Sequence, residues 1–183
     1  MVNDKKYNIT ETSYSRLQKE VNVPITLYKS MQGKYFVGQT ENLLVGKGSY
    51  GWAGLFNPRN SGVDLFANVI TFSNFSDQYL TAQIWLNAKF SDEGTISEKV
   101  SPANIAIEPK PINKVDIRYV QSTDNLPMCG VNIFDRIVPP NSTLVSEEDG
   151  KFIVPSGGNY SVLIKSSCPE LSKVIVALGW WEE

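Results

Sequence analysis

Apolar and polar side chains alternate most regularly in the stretch that runs from Val63 to Phe90. Two segments within it place almost wholly apolar side chains on one face of an extended chain: Leu65, Ala67, Val69, Leu80, Ala82, Ile84 and Leu86. Period-two alternation is typical of a strand with one buried face, and the polar residues 74–78 between the segments favour a turn. The pattern predicts a β-hairpin whose apolar face must be covered by a second layer.

Short stretches rich in β-branched and aromatic residues recur along the rest of the chain. They predict strands at residues 23–28, 35–38, 43–45, 115–121, 131–138, 143–145, 151–154, 160–165 and 173–181. Glu147 to Gly150 predicts a hairpin turn, because an Asp-Gly pair adopts the backbone conformations that tight hairpins need. No stretch predicts a helix longer than two turns.

The number and spacing of the predicted strands are typical of an all-β fold, an antiparallel β-sandwich. Long connections favour jelly-roll or Greek-key topology over a simple meander. An immunoglobulin-like sandwich is the alternative, but no tryptophan lies between Cys129 and Cys168, as that fold would require. We assign residues 21–183 to the sandwich domain and residues 1–20 to a flexible N-terminal arm. The arm is either a disordered tail or a segment that becomes ordered by pairing with a neighbouring subunit.

Composition excludes several classes of function. The chain of 183 residues has no histidine and a formal net charge of −2. Without histidine, Ser-His-Asp catalysis, Cys-His catalysis and histidine-ligated metal sites are excluded. Scattered Lys and Arg offer no basic patch for nucleic acid, and no apolar run approaches the roughly 20 residues that a membrane-spanning helix needs. We therefore predict a protein that is not an enzyme, with no catalytic, cofactor-binding or metal-binding residues.

Three further patterns have simpler structural explanations. Glycines at 46, 48, 51 and 54 suggest a phosphate loop, but the motif's Gly-Lys-Ser/Thr ending and following helix are missing. We therefore predict a bulged strand or a corner where backbones pack closely. Two carboxylates would suffice for a glycosidase, but none lies among apolar residues that would raise its pKa. The acidic run at 147–149 could bind calcium, but it lacks the EF-hand spacing, and a charged turn accounts for it.

Aromatic residues near the end of the chain predict an exposed surface. Trp180 and Trp181 are neighbours in a predicted strand, so their side chains point to opposite faces. One layer can bury only one of them, and we expect the other to be exposed or covered by another chain. Trp52 and Trp85 lie in apolar stretches and are expected in the core. An exposed Trp180 or Trp181 also supports an alternative function, glycan binding by stacking of a sugar ring on the indole.

The two cysteines, Cys129 and Cys168, leave three alternatives open: idle thiols, a disulfide within the chain, or a disulfide between subunits. Together with apolar side chains of the arm and the terminal tryptophans they form the predicted interface with another copy: Tyr7, Ile9, Tyr14, Leu17, Cys129, Cys168, Trp180 and Trp181.

The arm has no apolar h-region, so we expect synthesis in the cytoplasm without a signal peptide. The protein would then stay there unless the cell lyses or uses another export route.

Several segments carry a resemblance to known proteins: GKYFVGQTE at 33–41, AQIWLN at 82–87, VPPNST at 138–143, SEEDGKF at 146–152 and GWWEE at 179–183. Through them the chain resembles, over about residues 21–183, a family of uncharacterised proteins from spore-forming Gram-positive bacteria. In general plan it is also similar to the jelly-roll subunits of bacterial endospore appendages. That similarity implies a flexible N-terminal arm that joins subunits and cysteines that crosslink them, and it is architectural only.

The leading hypothesis is a non-enzymatic jelly-roll subunit that self-associates into a homo-oligomer, in a spore-surface or filamentous assembly. In this hypothesis residues 1–20 add to the edge of a neighbour's sheet, where main-chain hydrogen bonds provide affinity. The alternative is a carbohydrate-binding module that uses the exposed C-terminal tryptophan.

Overall fold

The computed structural model describes residues 22–183, which form one short helix and twelve strands. The elements are α1 (Ile25–Met31), β1 (Tyr35–Gln39), β2 (Leu43–Val45), β3 (Tyr50–Phe56), β4 (Leu65–Asn74), β5 (Leu80–Lys89), β6 (Thr95–Ile96), β7 (Val100–Pro102), β8 (Asp116–Thr123), β9 (Cys129–Val138), β10 (Ser142–Val154), β11 (Asn159–Lys165) and β12 (Ser172–Glu182). The predicted interface residues of the arm lie outside the described residues: Tyr7, Ile9, Tyr14 and Leu17. The prediction of an all-β fold is confirmed.

The strands form two six-stranded antiparallel sheets that pack face to face. The first sheet has the order β10-β4-β12-β1-β7, with β2 beside the start of β12. The second has the order β6-β8-β3-β11-β5-β9. Apolar side chains from the facing sides of both sheets form one core, to which Phe72, Ile84 and Val176 belong.

The eight main strands are paired in a nested order. Counted along the chain, they are β1, β3, β4, β5, β9, β10, β11 and β12. The first pairs with the last, β1 with β12, and β3 with β11. Then β4 pairs with β10, and β5 with β9. This nesting defines a jelly roll, so the predicted sandwich has jelly-roll topology. The short strands β6 and β7, with β8, are inserted between β5 and β9 and widen both sheets on one side.

The predicted hairpin over residues 63–90 is wrong in its pairing, although both strands exist. Strands β4 and β5 lie in different sheets, because β4 is already flanked by β10 and β12. The turn between them therefore crosses from one layer to the other. Asn74 holds it: its side-chain amide donates to the carbonyl oxygens of Gln78 at 2.8 Å and Pro139 at 3.0 Å.

The second predicted hairpin, with its turn at 147–150, is also wrong. Strand β10 continues through this stretch and contains a bulge instead. The register against β4 jumps from Glu147 opposite Val69 to Phe152 opposite Ala67. Asp149 and Gly150 have the positive φ values, 51° and 72°, that the Asp-Gly pair led us to expect. The same local chemistry thus produces a bulge rather than a strand reversal.

The predicted strand at 23–28 is replaced by the helix α1. Pro24 precedes the helix, where the missing N–H costs nothing, and its carbonyl oxygen accepts the amide of Tyr28 at 3.0 Å. Apolar residues at this spacing are compatible with either structure, and a proline at the start is tolerated by both a helix and a strand. No helix in the described part of the chain is long and apolar enough to cross a membrane.

Both terminal tryptophans are buried, so the expectation that one is exposed or covered by another chain is wrong. Trp180 lies in the core and stacks on Phe36 with ring centroids 5.8 Å apart. Trp181, on the opposite face of β12, is only 5% exposed and stacks on Phe66 at 5.3 Å. The bulge of β10 covers it: Gly150 lies against the indole with no room for a Cβ atom. A bulge from the same sheet therefore closes this face locally.

We expect Trp52 and Trp85 in the core, but both lie on the outer face of the second sheet, and they differ in how deeply they are buried. Trp52 is buried, but on the outer face of the second sheet, where it stacks on Phe90 with centroids 4.3 Å apart. Its neighbour in the strand, Ala53, points into the core. Trp85 also lies on the outer face, next to the core residue Ile84, and is half-buried.

Candidate functional site: the open edge of strand β9

Strand β9 is the edge strand of the second sheet. It pairs with β5 on one side, and on its other side no strand is hydrogen-bonded to it within residues 22–183. Most of its side chains are exposed on both faces. The apolar ones include Val131, Phe134 and Ile137, the last 70% exposed. A long apolar edge of this kind is a template for pairing with another chain, which soluble proteins usually cover or blunt.

The C-terminal half of β9 has the regular geometry that strand addition requires. Residues 134–138 pair one-to-one with residues 84–80 of β5. The N-terminal half contains two irregularities, at Ile84/Trp85 and Leu86/Lys89 of β5. Bulges interrupt the regular hydrogen-bonding ladder, which limits pairing at that end, while the regular half remains available.

The space between the sheets is closed behind this edge by aromatic side chains. Phe134 of β9 meets Phe152 of β10 edge-on with ring centroids 6.3 Å apart, and the ring centroids of Phe152 and Tyr160 are 5.5 Å apart. The guanidinium of Arg136 lies 4.4 Å from the ring centroid of Phe134. A docking strand would therefore meet a firm apolar boundary rather than an open cavity.

A buried polar cluster anchors the neighbouring bulge of β10. The Glu148 carboxylate accepts hydrogen bonds from the Ser146 hydroxyl at 2.8 Å and from the Tyr160 hydroxyl at 3.1 Å. Burial raises the pKa of Tyr160, and the nearby Glu148 charge raises it further. The phenol therefore stays protonated and remains a donor that holds Glu148 in the interior.

The acidic run at 147–149 does not form a single ligand set. Glu148 points inward, whereas Glu147 and Asp149 are exposed. Across residues 22–183 no three Cys, Asp or Glu side chains lie close enough together to hold a metal ion.

An open hollow of about 570 Å³ lies against β1 and β7. Within the described chain its lining includes one carboxylate, Glu98, beside Lys99. A glycosidase needs two carboxylates that face each other across the bond to be cleaved. The hollow therefore does not supply that geometry.

The structure brings one predicted interface residue to the open edge. Cys129 is the first residue of β9, is exposed, and pairs with Lys89 of β5. Cys168 follows Lys165 in the connection between β11 and β12, at the other end of the sheet. The rise per residue along the strands puts more than about 20 Å between the two cysteines, far beyond the Cα separation of a disulfide.

Both thiols are free, so the alternative of a disulfide within one chain is wrong. Idle thiols and a disulfide between subunits remain as predictions. Trp180 and Trp181 lie in β12, away from the open edge.

Sequence reasoning missed the edge itself. Its signal was the charged pair Asp135-Arg136 within a largely apolar strand, a pattern that fits an edge better than a buried strand.

One protein family, described as a family of unknown function (DUF6143), has a model that matches residues 6–183. The chain belongs to this family. The match confirms the predicted membership of an uncharacterised family, and it reaches further towards the N-terminus than the resemblance over residues 21–183. No curated protein and no solved structure shows a significant match. Membership of DUF6143 brings no activity with it.

Proposed function

We propose that the chain is a non-enzymatic jelly-roll subunit that associates with copies of itself, in a spore-surface or filamentous assembly. The observation that supports the proposal is the open edge of β9, with its exposed apolar side chains. Burial of such an edge by another chain satisfies backbone hydrogen-bonding groups and removes apolar surface from water. The likeness to endospore appendage subunits in general plan is consistent with this role.

The N-terminal arm is the proposed occupant of the edge. Its residues 7–14, YNITETSY, are rich in Tyr, Ile and Thr, which favour strands. Residues 1–20 of one copy add beside the regular half of β9 in the next copy, and main-chain hydrogen bonds provide the affinity. Alternate side chains of the added strand then pack beside Phe134 on one face and Ile137 on the other.

Cys129 supplies a covalent step in the same proposal. Its thiol lies at the start of the docking edge and is exposed. In an oxidising final location this thiol and a cysteine thiol of a neighbouring copy give two electrons and two protons to an external oxidant, dioxygen or a small-molecule disulfide. The S–S bond that forms locks an interface already made by strand addition. Such a bond is the predicted disulfide between subunits.

The deciding experiment is deletion of residues 2–20. We expect the sandwich to remain folded, as judged by circular dichroism, while sedimentation shows that assembly is lost. Unchanged sedimentation of the shortened chain would reject the proposal.

A matched pair of variants tests the edge itself. Ile137→Lys places a charge on the open edge, whereas Ile96→Lys places one on β6, the short strand at the opposite edge of the same sheet. Both side chains are exposed, so both variants should fold. We expect Ile137→Lys to weaken association about 100-fold or more and Ile96→Lys to leave it unchanged. If the two substitutions change association equally, the contact between copies does not lie at the open edge of β9.

The C-terminal tryptophans do not support the alternative of glycan binding. It depended on an exposed Trp180 or Trp181, and both indoles are buried.

A further inference from the structure

The helix α1 is oriented opposite to an ordinary surface helix. Its one buried side chain among the described residues is Lys29. Its apolar side chains point outward and are exposed by about half or more, with Met31 at 62%; they are Ile25, Leu27, Tyr28 and Met31. A surface helix normally buries its apolar face and exposes its charges. The exposed face of α1, which we call the α1 patch, is defined by these four residues.

Polar contacts at the end of β12 fix this orientation. The ammonium group of Lys29 forms an ion pair and hydrogen bond with Oε1 of Glu183, and the ammonium nitrogen of Lys34 lies 3.6 Å from the same oxygen. The backbone carbonyl of Lys29 also accepts the amide of Lys34 at 2.9 Å. The helix therefore cannot turn its apolar face inward without breaking the Lys29–Glu183 pair.

The position of α1 along the chain limits where the α1 patch can act. The helix begins at Ile25, and the proposed arm ends at residue 20. Five residues of extended chain span at most about 18 Å. If the arm of one copy lies on β9 of the next, α1 is held within that distance of the neighbouring copy.

The direction of strand addition selects one end of β9. Every strand pair in the second sheet is antiparallel. An arm that continues this arrangement ends beside the start of β9, near Cys129. Apolar side chains are exposed there, with Met128 at 66%; they are Leu126, Met128 and Val131, and we call them the β9-start patch.

We propose that the α1 patch of one copy packs on the β9-start patch of the next copy. The inference rests on the proposed strand addition and adds a second, side-chain contact to it. Both surfaces are apolar and each contains a methionine, whose flexible side chain adapts to an irregular partner. The contact explains why α1 is held with its apolar face outward.

The test uses the full chain with two substitutions in the helix, Leu27→Ser and Met31→Ser. Both side chains are exposed, so the fold should be unaffected. We expect self-association, measured by sedimentation over a concentration series, to weaken about 30-fold. The matched control is Leu44→Ser with Leu171→Ser, two exposed leucines beside the start of β12. The control should associate as the unsubstituted chain does.

A double-mutant cycle identifies the partner surface. Met128→Ser with Val131→Ser should weaken association to a similar extent. Combining these with the α1 substitutions should cost little more than either pair alone, since both remove the same contact. Fully additive losses would show that the two patches do not meet and would overturn the inference.

The outcomes separate this inference from the proposal on which it rests. If the helix variant associates normally while deletion of residues 2–20 abolishes assembly, strand addition stands and the α1 contact is rejected. If the deletion leaves association unchanged, strand addition is rejected, and the α1 contact loses its basis with it.

Discussion

Strands β9 and β12 are similar in length and in apolar content, yet they have opposite environments. β12 lies between β4 on one side and β2 followed by β1 on the other, and most of its side chains are buried. β9 has β5 as its one neighbour in the described chain, and most of its side chains are exposed. The burial of a strand thus depends on its place in the sheet more than on its own composition.

The outer face of β12 shows how a strand with two apolar faces is accommodated. One face enters the core, and the other is covered locally by the β10 bulge and by Tyr35. The Tyr35 hydroxyl lies close to Gly179 and accepts a hydrogen bond from the Asn68 amide at 2.8 Å. β9 has no such cover among residues 22–183, and this difference is the basis of the proposed function.

The largest effect on stability is expected where the bulge covers β12. Gly150→Ala places a methyl group against Trp181 at a position with φ of 72°. We expect a loss of about 3 kcal/mol from overpacking and backbone strain together, measured by denaturant unfolding. Gly62→Ala is the control, since it has φ of 68° but no neighbouring atom. It should cost only about 1 kcal/mol. Equal losses would mean that strain alone matters.

The same substitution in the two strands tests their contrast directly. Val176→Ala in β12 removes fully buried methyl groups and should cost about 2 kcal/mol. Val131→Ala in β9 removes exposed ones and should change stability by less than about 0.5 kcal/mol. Urea denaturation of both variants at low protein concentration checks this. A comparable loss at Val131 would show that β9 is already covered.

Two buried serines provide a smaller, polar comparison. The Ser161 hydroxyl in β11 has no hydrogen-bond partner within the described structure, whereas the Ser146 hydroxyl donates to Glu148 at 2.8 Å. Ser161→Ala should therefore stabilise the fold by about 1 kcal/mol, and Ser146→Ala should destabilise it by about as much. Thermal unfolding of the two variants provides the measurement, and a shared sign would contradict the assignment of partners.

The smallest effect is expected at the residue that follows β12. The hydrogen bond from Lys29 holds the pKa of Glu183 below its ordinary value of 4.5. A lowered carboxyl pKa stabilises the folded state above pH 4.5, and this contribution is lost as the pH falls through the folded-state pKa. The unfolding temperatures of the chain and of Glu183→Gln should differ slightly at pH 7 and converge in acid. The carboxylate is partly exposed, so high salt should also reduce the difference.

Local alternation predicted most strands, because period-two patterning is imposed by the core on each strand separately. It did not predict their partners. The turn at 74–78 can close a hairpin or cross between layers, and the choice depends on β10 and β12, which lie far away in the chain. Likewise the Asp149-Gly150 pair specifies left-handed backbone and not whether the strand then reverses.

The candidate site was harder to predict for the same reason. An edge strand has a hydrogen-bonded neighbour on one side alone, so whether a strand is an edge depends on the arrangement of the whole sheet. Cys129 could be proposed for the interface from its residue type alone. The burial of Trp181 could not be anticipated, because its cover comes from a bulge that the sequence presents as a hairpin.

The central position of β12 has a consequence for synthesis. A ribosome makes β1 and β4 long before residues 172–182, yet these two strands have β12 between them in the finished sheet. Until that segment leaves the exit tunnel, the nascent chain has a gap in its first sheet, with open backbone groups on both sides. The first sheet therefore cannot be completed before its last strand has been translated, and the open backbone groups of β1 and β4 favour aggregation until then.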